Sequence, residues 1–341
     1  MAATQARGGN VHVQRQRIPR RSVVRGLALA GAGLVVTPFA FGCGEDDPGS
    51  AASNEDAERV DRLTIAVQPS NTPEKLSADA RDIERFLAER VKGDVEIVFP
   101  TSFAGVIESL RFGHAQAAFM SAWPAALAKK LAGAEITLAE VREVVIDDRM
   151  VEAPYYFSYW VVKADSPYTS LEQLRGKKAS LPSQLSTSGY VAPVARLVEL
   201  GHLSPEGKPA DPTKFFGQVL YSGGYAQSWE ALKSGQVDAS VIAGDVAEKL
   251  YREVLAGTRI LEKQGPVPSH GVVFAKQLEE PARSRLKAAL LELGTAEHRA
   301  LMRKFISGIF VSFKESSTDE HLASLTRYLD LTRAEFTERL G

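Results

Sequence analysis

Short apolar runs and longer periodic stretches alternate along this chain from about residue 62 onward. Leu63–Val67 is a short apolar run that ends at Pro69 and Ser70. Over residues 77–91 the apolar positions recur at helical spacing, with Ile83, Phe86, Leu87 and Val91 on one face. Val95–Phe99 is a second strand-like run, stopped by Pro100. A helix from about Phe103 to Arg111, a strand at Ala115–Met120 and a helix at Pro124–Leu131 follow. Strands alternating with helices predict βαβ units and a mainly parallel sheet.

The second half repeats this pattern. Strands are predicted at Lys178–Leu181, Gln218–Tyr221 and Val237–Ala243, and helices at Gly189–Leu200, Ala226–Ser234 and Val246–Leu255. Two longer extended stretches, Tyr155–Lys163 and Arg259–Val267, bracket this part, and the tail from Pro281 onward is helical. The predicted architecture is α/β with two hinged lobes. One lobe is built from residues 62–157 and 264–341, and the other from 158–263. An internal echo fits two similar lobes: Glu108–Ala117 lines up with Glu230–Ala239, each a helix end, a Gly stop and an apolar strand. Gly113 and Gly235 suit the left-handed cap position. Ser121–Trp123 and Ala243–Asp245 then fall at corresponding strand ends, where ligands collect in open α/β sheets.

Composition adds limits. The 341 residues are 44% hydrophobic and 24% charged, as in an average globular protein, which excludes a disordered or polytopic membrane chain. With 41 basic and 42 acidic residues the net charge is −1, which gives no nucleic-acid signal. Residues 1–42 hold six arginines and no acidic residue, leaving 35 basic against 42 acidic and a charge of −7 beyond them. A basic start, the apolar run Gly26–Val36 and small residues after it are the pattern of a secretory signal. Arg20 and Arg21 in Pro19–Arg25 resemble a twin-arginine export signal, and Ala40–Cys43 resembles a lipobox. By that resemblance Cys43, the single cysteine, becomes the lipidated first residue of the mature chain. Residues 43–61 are then a flexible tether. A buried thiol is the alternative for a lone cysteine, but the polar stretch Gly44–Ser50 offers no core to bury it.

The chemistry points to Ser186, Thr187, Ser188 and Gly189, directly before a helix. Hydroxyls, free N–H groups and the positive end of a helix dipole together hold an oxyanion without a cationic side chain. Plain capping is the competing explanation, although one cap needs only one such residue. Pro100–Ser102, opening the Phe103 helix, is a matching element in the other lobe. Trp123 could floor a pocket or pack at a lobe edge, while Trp160 and Trp229 are expected in the core. His114, His202, His298 and His321 show no metal-ligand spacing, so neither metal nor cofactor is expected. Asp147–Arg149 and Glu315–Glu320 look like solvated charge clusters.

Seven segments carry a specific resemblance: 99–110, 163–167, 170–177, 186–190, 222–225, 235–239 and 265–270. They resemble, in family order, the substrate-binding lipoproteins of ABC importers for phosphonates, phosphite and related phosphorus oxyanions. The resemblance implies the two-lobed, hinged periplasmic-binding-protein fold of type II. It implies that Ser186, Thr187 and Ser188 bind the phosphonate oxygens, and that Tyr156 is the family tyrosine after the first crossing. Three positions depart: Phe103 replaces a tyrosine, Tyr225 a histidine, and an acidic pair used for a ligand ammonium appears as Asp245 and His270. With one carboxylate left, an amine-free ligand is expected, and His270, if protonated, would neutralise Asp245.

The function these features imply is a monomeric, exported, membrane-anchored solute-binding protein. It would deliver a small phosphorus oxyanion to an ABC permease and ATPase by hinge closure, with no catalysis. Two alternatives remain open. The first is a ligand sensor for a signalling receptor. The second is a hydrolase using Ser186 or Ser188, for which no Gly-x-Ser-x-Gly elbow is present.

Overall fold

The computed structural model describes residues 60–68 and 73–335. The leader, the lipobox with Cys43 and nearly all of the tether lie outside these residues. The first elements are β1 (Val60–Val67), α1 (Pro73–Val91), β2 (Gly93–Val98), α2 (Phe103–Arg111), β3 (Ala117–Met120), α3 (Ala122–Ala132), β4 (Glu135–Ile146) and β5 (Arg149–Ala153). Next come β6 (Tyr155–Lys163), β7 (Lys178–Leu181), α4 (Ala192–Glu199), β8 (Gln218–Tyr221), α5 (Tyr225–Lys233), β9 (Ala239–Ala243), α6 (Glu248–Ala256) and β10 (Thr258–Pro268). The chain closes with β11 (Gly271–Phe274), α7 (Ala282–Leu293), α8 (Arg299–Phe305), β12 (Phe310–Glu315), α9 (Thr318–His321) and α10 (Ala323–Thr332).

Two sheets result, one ordered β12-β4-β11-β3-β1-β2 with β5 on β4, the other β10-β6-β9-β7-β8. The two halves share a motif. β1 pairs in parallel with β2 and β3, as β7 does with β8 and β9, and an antiparallel strand closes each set, β11 on β3 and β6 on β9. Gly113 (φ 74°) and Gly235 (φ 77°) both take the left-handed conformation between helix and strand. The expected mainly parallel sheets are mixed, because β4, β6, β10, β11 and β12 all pair antiparallel. Of these, β4, β6, β10 and β11 lie around the two crossings between the halves, where the chain passes from strand to strand without a βαβ crossover helix, and β12 lies in the tail.

Both faces of the first sheet are covered. Ile65, Phe119, Val272 and Phe274 pack with Ile83 and Leu87 of α1 and Leu286 and Leu290 of α7. Their neighbours Ala66, Ala118 and Val273 pack on the other face with Val106 and Ile107 of α2 and Ala125 of α3. Burial on both faces is why these strands are continuous apolar runs. In the second sheet Trp160, Leu181 and Val241 meet Val194 and Leu197 of α4, and Tyr159, Val161 and Ile242 meet Trp229 of α5 and Tyr251 of α6.

The chain leaves the first sheet after Ala153 and returns at Gly271, with β6 and β10 paired from Tyr155↔Pro268 to Lys163↔Thr258. The lobe boundaries expected at 157/158 and 263/264 thus fall inside these paired strands. The two crossings are tied together by the Ser269 N–H donating to the Pro154 carbonyl at 3.0 Å. Nor does the tail stay with the first sheet: Arg327 of α10 pairs with Glu199 of α4 at 2.8 Å, and the Ala210 N–H donates to the Thr332 carbonyl at 2.7 Å.

Candidate functional site

The serine–threonine run opens a π-helical turn, Thr187–Val191, ahead of α4. Pro193 has no N–H to give the Gly189 carbonyl, and the turn ahead of it is widened. Gly189 is required by space, since a Cβ there would lie 2.9 Å from both Pro182 Cγ and Ser186 Oγ. The three hydroxyls divide the work. Ser186 Oγ caps the turn, accepting the Gly189 N–H at 2.9 Å. Thr187 Oγ1 accepts the N–H of Trp123 at 3.3 Å, from the start of α3 in the other half. Ser188 Oγ lies 3.0 Å from the Tyr156 hydroxyl and 2.7 Å from that of Tyr225.

The two strand ends matched by the internal echo correspond in the fold. β3 runs into α3 through Ser121, and β9 ends at Ala243 ahead of Gly244 and Asp245. The N–H and hydroxyl of Ser121 are both bound to Gln68 Oε1, at 2.7 and 3.1 Å. The Trp123 side chain is buried in the core beside Tyr156 and Val191. Phe103, the first residue of α2 behind the Ser102 cap, is half-buried; lacking a hydroxyl, it adds nothing to the hydrogen-bonded network.

The main correction concerns charge. Asp245 is paired with Arg142 of β4, whose Nη1 lies 3.3 Å from Asp245 Oδ2. Arg142 Nε and Nη2 both donate to Glu140 Oε2, at 2.8 and 2.6 Å, and Glu140 Oε1 is buried without a partner. Burial opposes the guanidinium's charge, but the two carboxylates outweigh it and raise its pKa. Burial lifts Asp245 above its ordinary value, against the pull of Arg142 and of the Tyr156 hydroxyl. His270 cannot be the expected cation: burial, then the nearby Arg142 charge and His321, hold its pKa well below the ordinary value. Burial, reinforced by Asp245, also raises Tyr156 and Tyr225, so both remain hydroxyl donors at neutral pH.

Neither Glu140 nor Arg142 was expected from sequence. The available signal was Glu140 and Arg142, two residues apart in the run Ile136–Ile146, which carries only Glu143 as a further charge; that spacing puts both on one face of a strand. β4 also reaches past its own sheet, its Val145 N–H donating to the Gly244 carbonyl at 3.1 Å, which brings Arg142 to Asp245. The Asp147–Asp148 pair is the tip of the β4–β5 hairpin, with φ of 48° and 61°. Among the described residues no group of three His, Cys, Asp or Glu side chains could hold a metal ion, and no helix is long and apolar enough to cross a membrane.

Two α/β halves joined by paired antiparallel crossings, with a hydroxyl-lined site between strand ends, have the architecture of two-lobed periplasmic binding proteins of type II. The chain belongs to the family of periplasmic substrate-binding proteins of phosphonate ABC transporters, whose model matches residues 65–322. It is 28% identical over 223 residues to the phosphate-import protein PhnD of Mycolicibacterium smegmatis, covering 65% of this chain and 66% of that protein, just under two thirds. It is 23% identical over 263 residues to the phosphonates-binding periplasmic protein of Escherichia coli, covering 75% and 72% respectively. Its fold is shared with a binding protein component of an ABC phosphonate transporter from Pseudomonas aeruginosa, at TM-score 0.61 and 20% identity, over 80% of this chain and 87% of that one. This is a family of binding proteins, not enzymes.

Proposed function

We propose that the protein is an exported, lipid-anchored binding protein that captures a small amine-free phosphorus oxyanion and presents it to an ABC permease and ATPase. The candidates are phosphonate, phosphite and phosphate. Hinge motion about Pro154 and Ser269–His270 closes the halves over the ligand. The observation that carries this reading is the bond from the Trp123 N–H to Thr187 Oγ1, which puts the cradle of one half against a helix N-terminus of the other. Each hydroxyl has one proton and two lone pairs. Thr187 uses a lone pair internally and keeps its proton for a ligand oxygen, while Ser186 caps the turn and also bonds the Tyr225 hydroxyl. Ser188 Oγ bridges the hydroxyls of Tyr156 and Tyr225, beside the other two. The relatives named for phosphate import and phosphonate binding support this ligand class.

Isothermal titration of residues 44–341 with phosphate, phosphite, methylphosphonate and 2-aminoethylphosphonate tests the reading. Saturable binding of an amine-free oxyanion at one site per chain is expected, with no turnover of a phosphate ester. Binding of none of the four would overturn it.

A further inference from the structure

Arg142 is fixed on three sides. Its backbone belongs to β4, its Nε and Nη2 are taken by Glu140, and its Nη1 faces Asp245. Glu140 is held in turn, its N–H donating to the His270 carbonyl at 2.9 Å. The three charged side chains are almost fully buried, at 5%, 0% and 11% exposure for Arg142, Glu140 and Asp245. The Tyr156 hydroxyl links Asp245 to Ser188, so the carboxylate stands one hydroxyl away from the anion cradle. A buried carboxylate in that place needs a positive partner, because an unpaired buried charge is costly. In many sites the ligand can supply that partner as an ammonium. In this chain the protein supplies it, from a strand of the other half.

We propose that Arg142 is the specificity-determining counter-ion of the site. It occupies the charge of Asp245, so that amine-free phosphorus oxyanions are accepted and aminophosphonates are rejected. The inference rests on the oxyanion reading of the Ser186–Ser188 cradle. An ammonium brought to Asp245 would meet a desolvated guanidinium that cannot swing away, and like charges repel most strongly where water is excluded. Glu140 acts through Arg142, as the residue that positions it.

The test is a ratio of affinities, methylphosphonate against 2-aminoethylphosphonate, measured by titration. The wild-type chain is expected to prefer methylphosphonate at least ~100-fold, a difference of about 2.7 kcal/mol. Arg142→Met combined with Glu140→Gln removes one charge of each sign and leaves Asp245 free for an amine. The ratio should then fall below ~10-fold. Arg142→Lys, which keeps the charge, should retain most of the preference, and it provides a reading if the double variant does not fold. A ratio unchanged in the double variant, or lost in Arg142→Lys, overturns this inference alone. A wild-type preference for 2-aminoethylphosphonate would make Asp245 and the unpartnered Glu140 Oε1 acceptors for the amine. That result overturns this inference together with the amine-free choice of ligand above, but leaves the oxyanion cradle standing. Failure of the wild-type chain to bind either ligand, or phosphate or phosphite, overturns the cradle reading and this inference with it.

Discussion

Thr187 Oγ1 accepts the backbone N–H of Trp123 at 3.3 Å, and the two residues belong to different halves of the molecule. The capping role falls to Ser186, so Thr187 is not needed to start the helix. Its proton is free for a charged acceptor, a bond worth about 1.5–3 kcal/mol. Thr187→Val should therefore weaken oxyanion binding by about ten- to a hundred-fold. Thr187→Ser, which keeps both donor and acceptor, should bind nearly as the wild type does. A valine variant with unchanged affinity but a lower melting temperature would limit Thr187 to holding Trp123.

Ser188 serves two tyrosines at once, the buried Tyr156 and the half-buried Tyr225. Ser188→Ala leaves the hydroxyls of Tyr156 and Tyr225 short of a shared partner, at a cost of about 1–3 kcal/mol in stability. Loss of affinity and a lower melting temperature should appear together. Thermal unfolding with and without methylphosphonate checks this, and an unaltered melting temperature would show that the tyrosines find other partners.

The histidines give stability a pH dependence. His270 and His321 are both held below their ordinary pKa, chiefly by burial. In the unfolded chain they titrate near ~6.5, so as pH falls the unfolded state takes up protons first. The stability they contribute is complete above that value and is lost as pH drops toward the folded-state pKa. The melting temperature should accordingly fall between about pH 7.5 and about pH 5.5. His270→Gln should flatten that slope. An equally steep slope in the variant would place the titrating group elsewhere.

Most strands and helices of both halves were legible because each is an apolar run or a periodic face between Gly and Pro stops. However, β11 was missed, and β12 (Phe310–Glu315) interrupts the tail expected to be helical throughout. The correspondence of Ser121–Trp123 with Ala243–Asp245 was legible too, since both follow a repeated helix–Gly–strand pattern. The β4–β5 hairpin was not: its tip is Asp147–Asp148, without the glycine that commonly marks such turns. Arg142 and Asp245 lie 103 residues apart, and only the pairing of β4 with its neighbours and the reach of Val145 to Gly244 bring them together. Sequence therefore suggested the need for a cation near Asp245 but named His270, whose burial keeps it neutral.

Export and anchoring are tested separately, in residues outside the described structure. Cys43→Ser should release the protein from the membrane fraction with its ligand affinity intact. Protein still firmly membrane-bound would point to an uncleaved helix. Replacing Arg20 and Arg21 by Lys should block export, and unimpaired export would exclude the twin-arginine route.

The most direct measurement is a crystal structure of the chain bound to whichever amine-free oxyanion it binds tightest. The expected result is the phosphorus group at the start of the π-helical turn. Its oxygens should lie about 2.5–3.0 Å from the hydroxyls of Ser186, Thr187 and Ser188, with Arg142 still on Asp245. An oxyanion bound elsewhere, with these three hydroxyls still occupied by Gly189, Trp123 and the two tyrosines alone, would contradict the account.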